Sequence, residues 1–275
     1  MSSTTNSDDL QRIKSCMQGV ADFIKRTDRR DLSVSFSRGD DPTTSLDRDI
    51  NRFIFETLPR AGEGWLSEDD EDDLHRLCAS RVWVVDPIDG TRELVEGCPE
   101  WCVSIGLVQD NEAVAGGVLN PSTGEMFWGS KEVGLRTSGP VNIRDHGDDT
   151  TGVPRLLVSR REHKQGKWKV FDRPDVAVVP VGSIANRLAR VAAGLADATC
   201  TFETRHEWDV AGGVALLLSA GGRAVGPMAH PSDSIRKRRD CSPSSPSAAA
   251  ALLYCPSCVV SMRTRRRCAR PSERH

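Results

Sequence analysis

The segment WVVDPIDGTREL, Trp83–Leu94, carries two carboxylates three residues apart at the exit of a short β-run. Asp86 ends the run, Pro87 stiffens the exit, Asp89 follows, and Gly90 and Thr91 lead into a helical turn. Carboxylate oxygens are ligands for hard cations. A glycine lets backbone approach a phosphate, which the unpaired N–H groups of a helix start can bind. The same residues also build ordinary turns, since Asp, Pro and Gly are all turn formers. Two further acidic positions add weight to the chemical reading. Glu68 heads the acidic run of GWLSEDDEDD beside apolar Trp65 and Leu66, while the rest of that run reads as a solvated loop. Asp209 opens the apolar helix of HEWDVAGGVALLLSAGG, a place where an aspartate is commonly just a helix cap. Converging carboxylates raise one another's pKa, so a cluster of four calls for cations.

The elements that must position these residues can be read from periodicity. Leu10, Ile13, Met17, Val20, Ala21 and Ile24 follow helical spacing, with Asp8 or Asp9 as the cap. After a polar stretch around Ser37–Thr44, Ile50, Phe53, Ile54 and Leu58 mark a second helix. Arg81–Val85, Cys102–Val108, Ala113–Leu119 and Glu125–Trp128 read as strands, the middle two joined by a QDNE hairpin turn. Beyond Thr150 strands and helices alternate: Leu156–Ser159, Val176–Val181, a helix capped by Ser183 and running to Ala193, Ala198–Phe202, then a helix over Asp209–Ser219. The expected fold class is therefore α/β, with an α+β N-terminal half on an antiparallel sheet and an α/β C-terminal half.

Composition bounds the partners. Net charge is −2 over 275 residues, so no whole-chain basic field argues for nucleic acid. No apolar run approaches the roughly 18–20 residues of a membrane span. MSSTTNSDDL lacks the basic and apolar regions of a secretory signal, and nine Cys without framework spacing point to a reduced, cytoplasmic setting. Cys98 and Cys102 read as core residues. The charge is unevenly spread: Met228–His275 holds 10 Lys and Arg against 3 Asp and Glu, and also 9 Ser and 4 Cys. Such composition reads as disorder, and the spacing of Cys255 and Cys258 does not make a zinc site with Cys241 and Cys268. The chain thus divides into a metal-binding α+β domain at 1–150, an α/β domain at 151–227 that completes the active site, and a basic tail at 228–275 whose removal changes little.

LSEDD, DPIDGTREL, GCPEWCVSIGL, PVGSIANRLARVAAGLADA and EWDVAGG, in this order, resemble the motifs of the inositol monophosphatase superfamily of Mg²⁺-dependent, Li⁺-sensitive phosphatases. The resemblance covers about 9–225 and implies a layered αβαβα sandwich of the inositol monophosphatase and fructose-1,6-bisphosphatase type. REL after DGT, with SEDD, is most similar to bacterial 3′(2′),5′-bisphosphate nucleotidases, whose substrate is 3′-phosphoadenosine 5′-phosphate. Carried over by position, Glu68, Asp86, Asp89, the Ile88 carbonyl and Asp209 would hold two or three Mg²⁺. Gly90 and Thr91 would bind the scissile phosphate. Asp47 would polarise the Thr91 hydroxyl, and Thr91 and Glu68 would orient the attacking water. Gly182 and Ser183 would contact the rest of the substrate, whereas His206 and Glu207 take no role by this matching. The implied partner is a small phosphorylated molecule, a nucleotide first; a homodimer is compatible with the family pattern. Phosphatases of inositol, histidinol or sugar phosphates are the sister readings. After GGRAV the family's closing strand and helix are replaced by PMAHPSDSIRKRRD, so an inactive remnant whose second sheet lacks its edge strand is the rival from another class.

Overall fold

The computed structural model describes residues 2–27, 33–36, 42–72, 74–141, 153–224 and 258–261. Helix α1 (Ser2–Arg26) buries Leu10, Ile13, Met17, Val20 and Ile24, the residues its spacing selects. Asp8 and Asp9 do not cap it. The helix begins earlier, and both aspartates pair with arginines: Asp8 with distant Arg60 at 2.7 Å, Asp9 with Arg12 one turn on at 3.3 Å and with distant Arg81 at 2.7 Å. Strands β1 (Val34–Phe36) and β2 (Pro42–Thr44) form a small antiparallel pair where the sequence showed only polarity. Helix α2 (Ser45–Thr57) opens on a capping box between Thr44 and Asp47.

Then come β3 (Gly64–Ser67), β4 (Arg81–Asp89), the short α3 (Thr91–Val95), β5 (Cys102–Gln109), β6 (Glu112–Asn120), β7 (Glu125–Ser130) and β8 (Gly134–Ser138). They build one sheet in the order β3-β4-β5-β6-β7-β8, antiparallel throughout except for the parallel β3–β4 pair. The second half adds β9 (Arg155–Ser159), α4 (Arg160–Lys164), β10 (Ala177–Val181), α5 (Ile184–Ala192), β11 (Ala198–Thr201), α6 (Glu207–Ser219) and β12 (Arg223–Ala224). A last strand, β13 (Cys258–Ser261), completes a sheet ordered β10-β9-β11-β13-β12.

Alternation along β4 sets the layers. Trp83 and Val85 join the cluster of α1 and α2, whereas Val82 and Val84 pack with Ala211 of α6 on the opposite face. Helices α5 and α6 pack on each other; α6 also lies along β4, β5, β6 and β7, and α5 touches β9 and β11. With α4 against β9 and β10, the result is the expected αβαβα sandwich.

Helix α6 approaches its sheet closely because the contact is made of glycines. A Cβ at Gly212 would stand 2.6 Å from Ser104 Oγ and 2.8 Å from the Ile105 carbonyl oxygen; one at Gly116 would stand 2.5 Å from the Gly212 carbonyl. The AGG of EWDVAGG is thus a packing device that brings Asp209 down over the end of β4.

The tail reading needs correction. Cys258–Ser261 is not idle chain: it pairs antiparallel with β11 on one side and β12 on the other. The sheet that was expected to lack a closing strand receives one from within 228–275. Composition misled because a four-residue strand with two central valines needs little apolar sequence when both neighbours supply its hydrogen bonds. The rest of that tail, with Cys241, Cys255 and Cys268, lies outside the described residues.

Candidate metal centre and active site

A bulge decides where the two carboxylates of DPID point. Asp86 pairs with Ser104 and Asp89 with Cys102, so three residues of β4 span two of β5. In a regular strand, positions three apart face opposite ways; one extra residue returns them to the same face. Burial agrees, because Ile88 joins the α1–α2 cluster that Trp83 and Val85 occupy. Pro87, which has no N–H to give, sits within the bulge, where a ladder hydrogen bond is not required. Asp86 and Asp89 therefore both look toward α6 and its Asp209.

Glu68 follows the parallel strand β3, its N–H donating to the Val85 carbonyl at 3.3 Å. Just before it, Ser67 donates to Asn51 Oδ1 of α2 at 2.7 Å, which fixes the end of β3. Glu68 and Asp86 are close enough for each to influence the other's carboxyl. Asp209, the third residue of α6, accepts the His206 N–H at 3.0 Å, and His206 stacks on Trp208 with ring centroids 4.6 Å apart. Glu207 turns away to Arg76 at 3.7 Å.

The electrostatics of the cluster are one-sided. Asp86 is 1 % exposed, and burial, then repulsion from Glu68, Asp89 and Asp209, pushes its carboxyl well above the usual range. Although water reaches Glu68, loss of hydration around its carboxyl, with repulsion from Asp209, Asp69 and Asp89, raises it to about 8. Asp209 is pushed up to about 7 by desolvation and Asp89, against the pull of Arg205. Burial also raises Asp89, in spite of hydrogen bonds from Ser183 and Ala185.

Thr91 lies at the start of α3, after Gly90, whose φ of 96° is open to glycine but strained for other residues. Its hydroxyl is 2.9 Å from the Ile88 carbonyl and 3.1 Å from Asp47 Oδ1. The other oxygen of Asp47 accepts from Thr44 N at 2.8 Å and Thr44 Oγ1 at 2.5 Å. Asp47 thus serves two ends: Oδ2 closes the cap of α2 and Oδ1 meets Thr91. Gly182 gives its N–H to Glu100 at 2.7 Å, and a Cβ there would stand 2.6 Å from Glu93 Cγ. Ser183 donates to Asp89 Oδ2 at 2.6 Å.

Sequence reasoning missed the links between the halves. Arg160 grips Glu100 with Nη2 at 2.6 Å from Oε1, and Glu100 also takes the Gly182 N–H, so GCPEW is tied to β9–β10. Glu162, fully buried, accepts from Trp168, Thr201 Oγ1 and the N–H groups of Phe202 and Glu203, which anchors the chain leading into α6. Neither pairing has a local period to betray it. Cys102 is buried as expected, and Cys98 is half-buried.

Among the described residues, no three His, Cys, Asp or Glu side chains stand ready as they are to hold a metal ion. The donor set still fits a hard cation. It is all oxygen, Asp86 Oδ1 is buried without a hydrogen-bond partner, and burial, then repulsion from neighbouring carboxylates, drives Asp86, Glu68 and Asp209 toward protonation. A divalent cation relieves both strains.

Comparisons with known proteins agree with this geometry. The model of the inositol monophosphatase family matches residues 11–258. An inositol-1-monophosphatase of Mesorhizobium japonicum is 34% identical over 212 residues, 70% of this chain and 75% of that protein. A 3′-phosphoadenosine 5′-phosphate phosphatase of Mycobacterium bovis is 31% identical over 186 residues, 64% of this chain and 66% of that protein. Among solved structures, an IMPase/NADP phosphatase complexed with Mg²⁺ and phosphate superposes with a TM-score of 0.67 at 15% identity, covering 92% of this chain and 91% of that one.

Proposed function

Since this chain belongs to the inositol monophosphatase family and is a phosphoric monoester hydrolase, we propose that it uses Mg²⁺ to remove the 3′-phosphate of 3′-phosphoadenosine 5′-phosphate. The observation that carries metal-dependent hydrolysis is the convergence of Glu68 and Asp209 on the face to which the β4 bulge turns both Asp86 and Asp89, with Asp86 Oδ1 buried there without a hydrogen-bond partner. The substrate rests on Arg92-Glu93-Leu94 after DGT, on the SEDD motif, and on the likeness to the Mycobacterium bovis phosphatase.

Phosphate monoesters hydrolyse extremely slowly unaided, and enzymes speed the transfer mainly by positioning and charge neutralisation. Bound between Glu68, Asp86, Asp89, Asp209 and the Ile88 carbonyl, Mg²⁺ would neutralise phosphate charge, acidify a water and stabilise the leaving oxygen. Asp47 Oδ1 draws the Thr91 proton toward itself, which leaves the Thr91 oxygen able to accept from an attacking water. Glu68, at the same end of the neighbouring parallel strand, orients that water with it. Gly90 and the first N–H groups of α3 face the phosphate oxygens, and no Ser or Cys nucleophile is required.

A panel with Mg²⁺ tests this: 3′-phosphoadenosine 5′-phosphate, inositol 1-phosphate, histidinol phosphate and fructose 1,6-bisphosphate. The nucleotide is expected to have the highest kcat/KM, with Li⁺ inhibiting at millimolar concentration or below. Faster turnover of inositol 1-phosphate would move the assignment to the second reading, which the Mesorhizobium japonicum relative favours.

A further inference from the structure

We propose that Ser183 and Arg187 are positioning residues that hold Asp89 to a single free oxygen, so that the α/β half of the chain tunes the metal centre for Mg²⁺. This rests on the reading of Asp89 as a metal ligand. Asp89 belongs to β4, yet both donors on its Oδ2 come from the start of α5: Ser183 Oγ at 2.6 Å and the Ala185 N–H at 2.6 Å. Ser183 has one hydroxyl proton, and it goes to Asp89. Its lone pairs accept the Asn186 N–H at 3.0 Å, and the Cys102 thiol, 3.2 Å away, can only be the donor in that contact. The hydroxyl is fixed from every side.

Its backbone is fixed too. Ser183 has φ of 55°, the left-handed region that residues with a Cβ avoid. Arg187, only 1 % exposed, donates through Nε to the Ser183 carbonyl at 3.2 Å. Its Nη1 reaches Thr199 Oγ1 at 3.3 Å and the Cys200 carbonyl at 3.0 Å, which bolts the turn to β11. A buried guanidinium tied to three oxygens is a costly way to hold one turn, unless the geometry of that turn matters.

The consequence is chemical. With Oδ2 saturated, Asp89 has only Oδ1 to offer a cation. Mg²⁺ demands near-octahedral geometry and takes carboxylates one oxygen at a time, whereas Ca²⁺ accepts bidentate carboxylates and more ligands. Holding Asp89 to one oxygen favours the smaller ion.

Ser183→Gly separates this role from a structural one, because glycine adopts the left-handed turn freely and remains an adequate cap. Calorimetric titration of the full chain with Mg²⁺, and separately with Ca²⁺, is the readout, alongside thermal unfolding. The variant is expected to melt at or above the wild-type temperature while binding Mg²⁺ about 10–100-fold more weakly. The Ca²⁺/Mg²⁺ affinity ratio should rise, and Ser183→Ala, which keeps the Cβ but not the hydroxyl, should bind Mg²⁺ as weakly as the glycine variant. Arg187→Lys, which keeps the charge but loses the fork, should fall between. A Ser183→Gly protein that binds Mg²⁺ as the wild type does would overturn the proposal, as would a raised substrate KM with metal binding intact, which would make Ser183 a substrate contact. A wild type that binds no Mg²⁺ would instead overturn the reading of the carboxylates themselves.

Discussion

In the carboxylate cluster proposed as the metal site, two aspartates have one oxygen held: Oδ2 of Asp89 by Ser183 and Ala185, Oδ2 of Asp209 by the His206 N–H. Asp89→Asn and Asp209→Asn should each lower kcat by at least about a hundredfold, since even partners of metal ligands commonly cost 10–100-fold. Far-ultraviolet circular dichroism should stay unchanged. A different carboxylate governs acid stability. Burial works against the charge of Glu63, but hydrogen bonds from Arg12, Trp83 and the Arg60 N–H outweigh it and hold its pKa at about 2. The unfolded chain binds this proton near the ordinary 4.5, so Glu63 stabilises the fold above that pH and ceases to as pH falls toward 2. Glu63→Gln should therefore melt lower than the wild type at pH 7, and the two melting curves should converge in acid. The carboxylates of the proposed site were legible as candidates because their types and spacing are local. The bond from Ser183 to Asp89 spans 94 residues, and nothing in either segment names the other.

Among the elements, long amphipathic helices and the central strands were readable, because burial imprints a period on ten or more residues. Strands β1, β2, β3 and β8 are only three to five residues long, too short for a period, and their partners are chosen by the sheet. The bulge in β4 was visible only as a proline between aspartates. Helix α6 gives the sharpest element-level test. Gly212→Ala would thrust a methyl against Ser104 Oγ and the Ile105 carbonyl, and backbone cannot yield as a flexible side chain does. Overpacking of this kind costs about 1–3 kcal/mol, which urea unfolding would register. The helix would relieve the clash by lifting from the sheet, carrying Asp209 with it. Activity at saturating Mg²⁺ should thus fall by more than the stability loss alone explains.

Across the whole molecule, the second sheet depends on a strand distant in sequence. β12 has β13 as its neighbour in the sheet order, so a chain ending before Cys258 loses both. With each ladder hydrogen bond contributing about 1 kcal/mol, such a truncation should lower Tm by roughly 5 °C or more. An unchanged melting curve would restore the view of the tail as a passive appendage. The inserted strand also orders events in time. As the chain leaves the ribosome N-terminus first, every strand of the six-stranded sheet is out before β9 is made, and that sheet can close from contiguous sequence. The five-stranded sheet must wait, with one flank of β11 bare, until Cys258–Ser261 arrives. During that interval β11 is an open template for any extended chain nearby, whether a neighbouring nascent copy or a chaperone. Slow decoding between β12 and β13 would lengthen the exposure, so the yield of native protein should depend on how fast that stretch is translated.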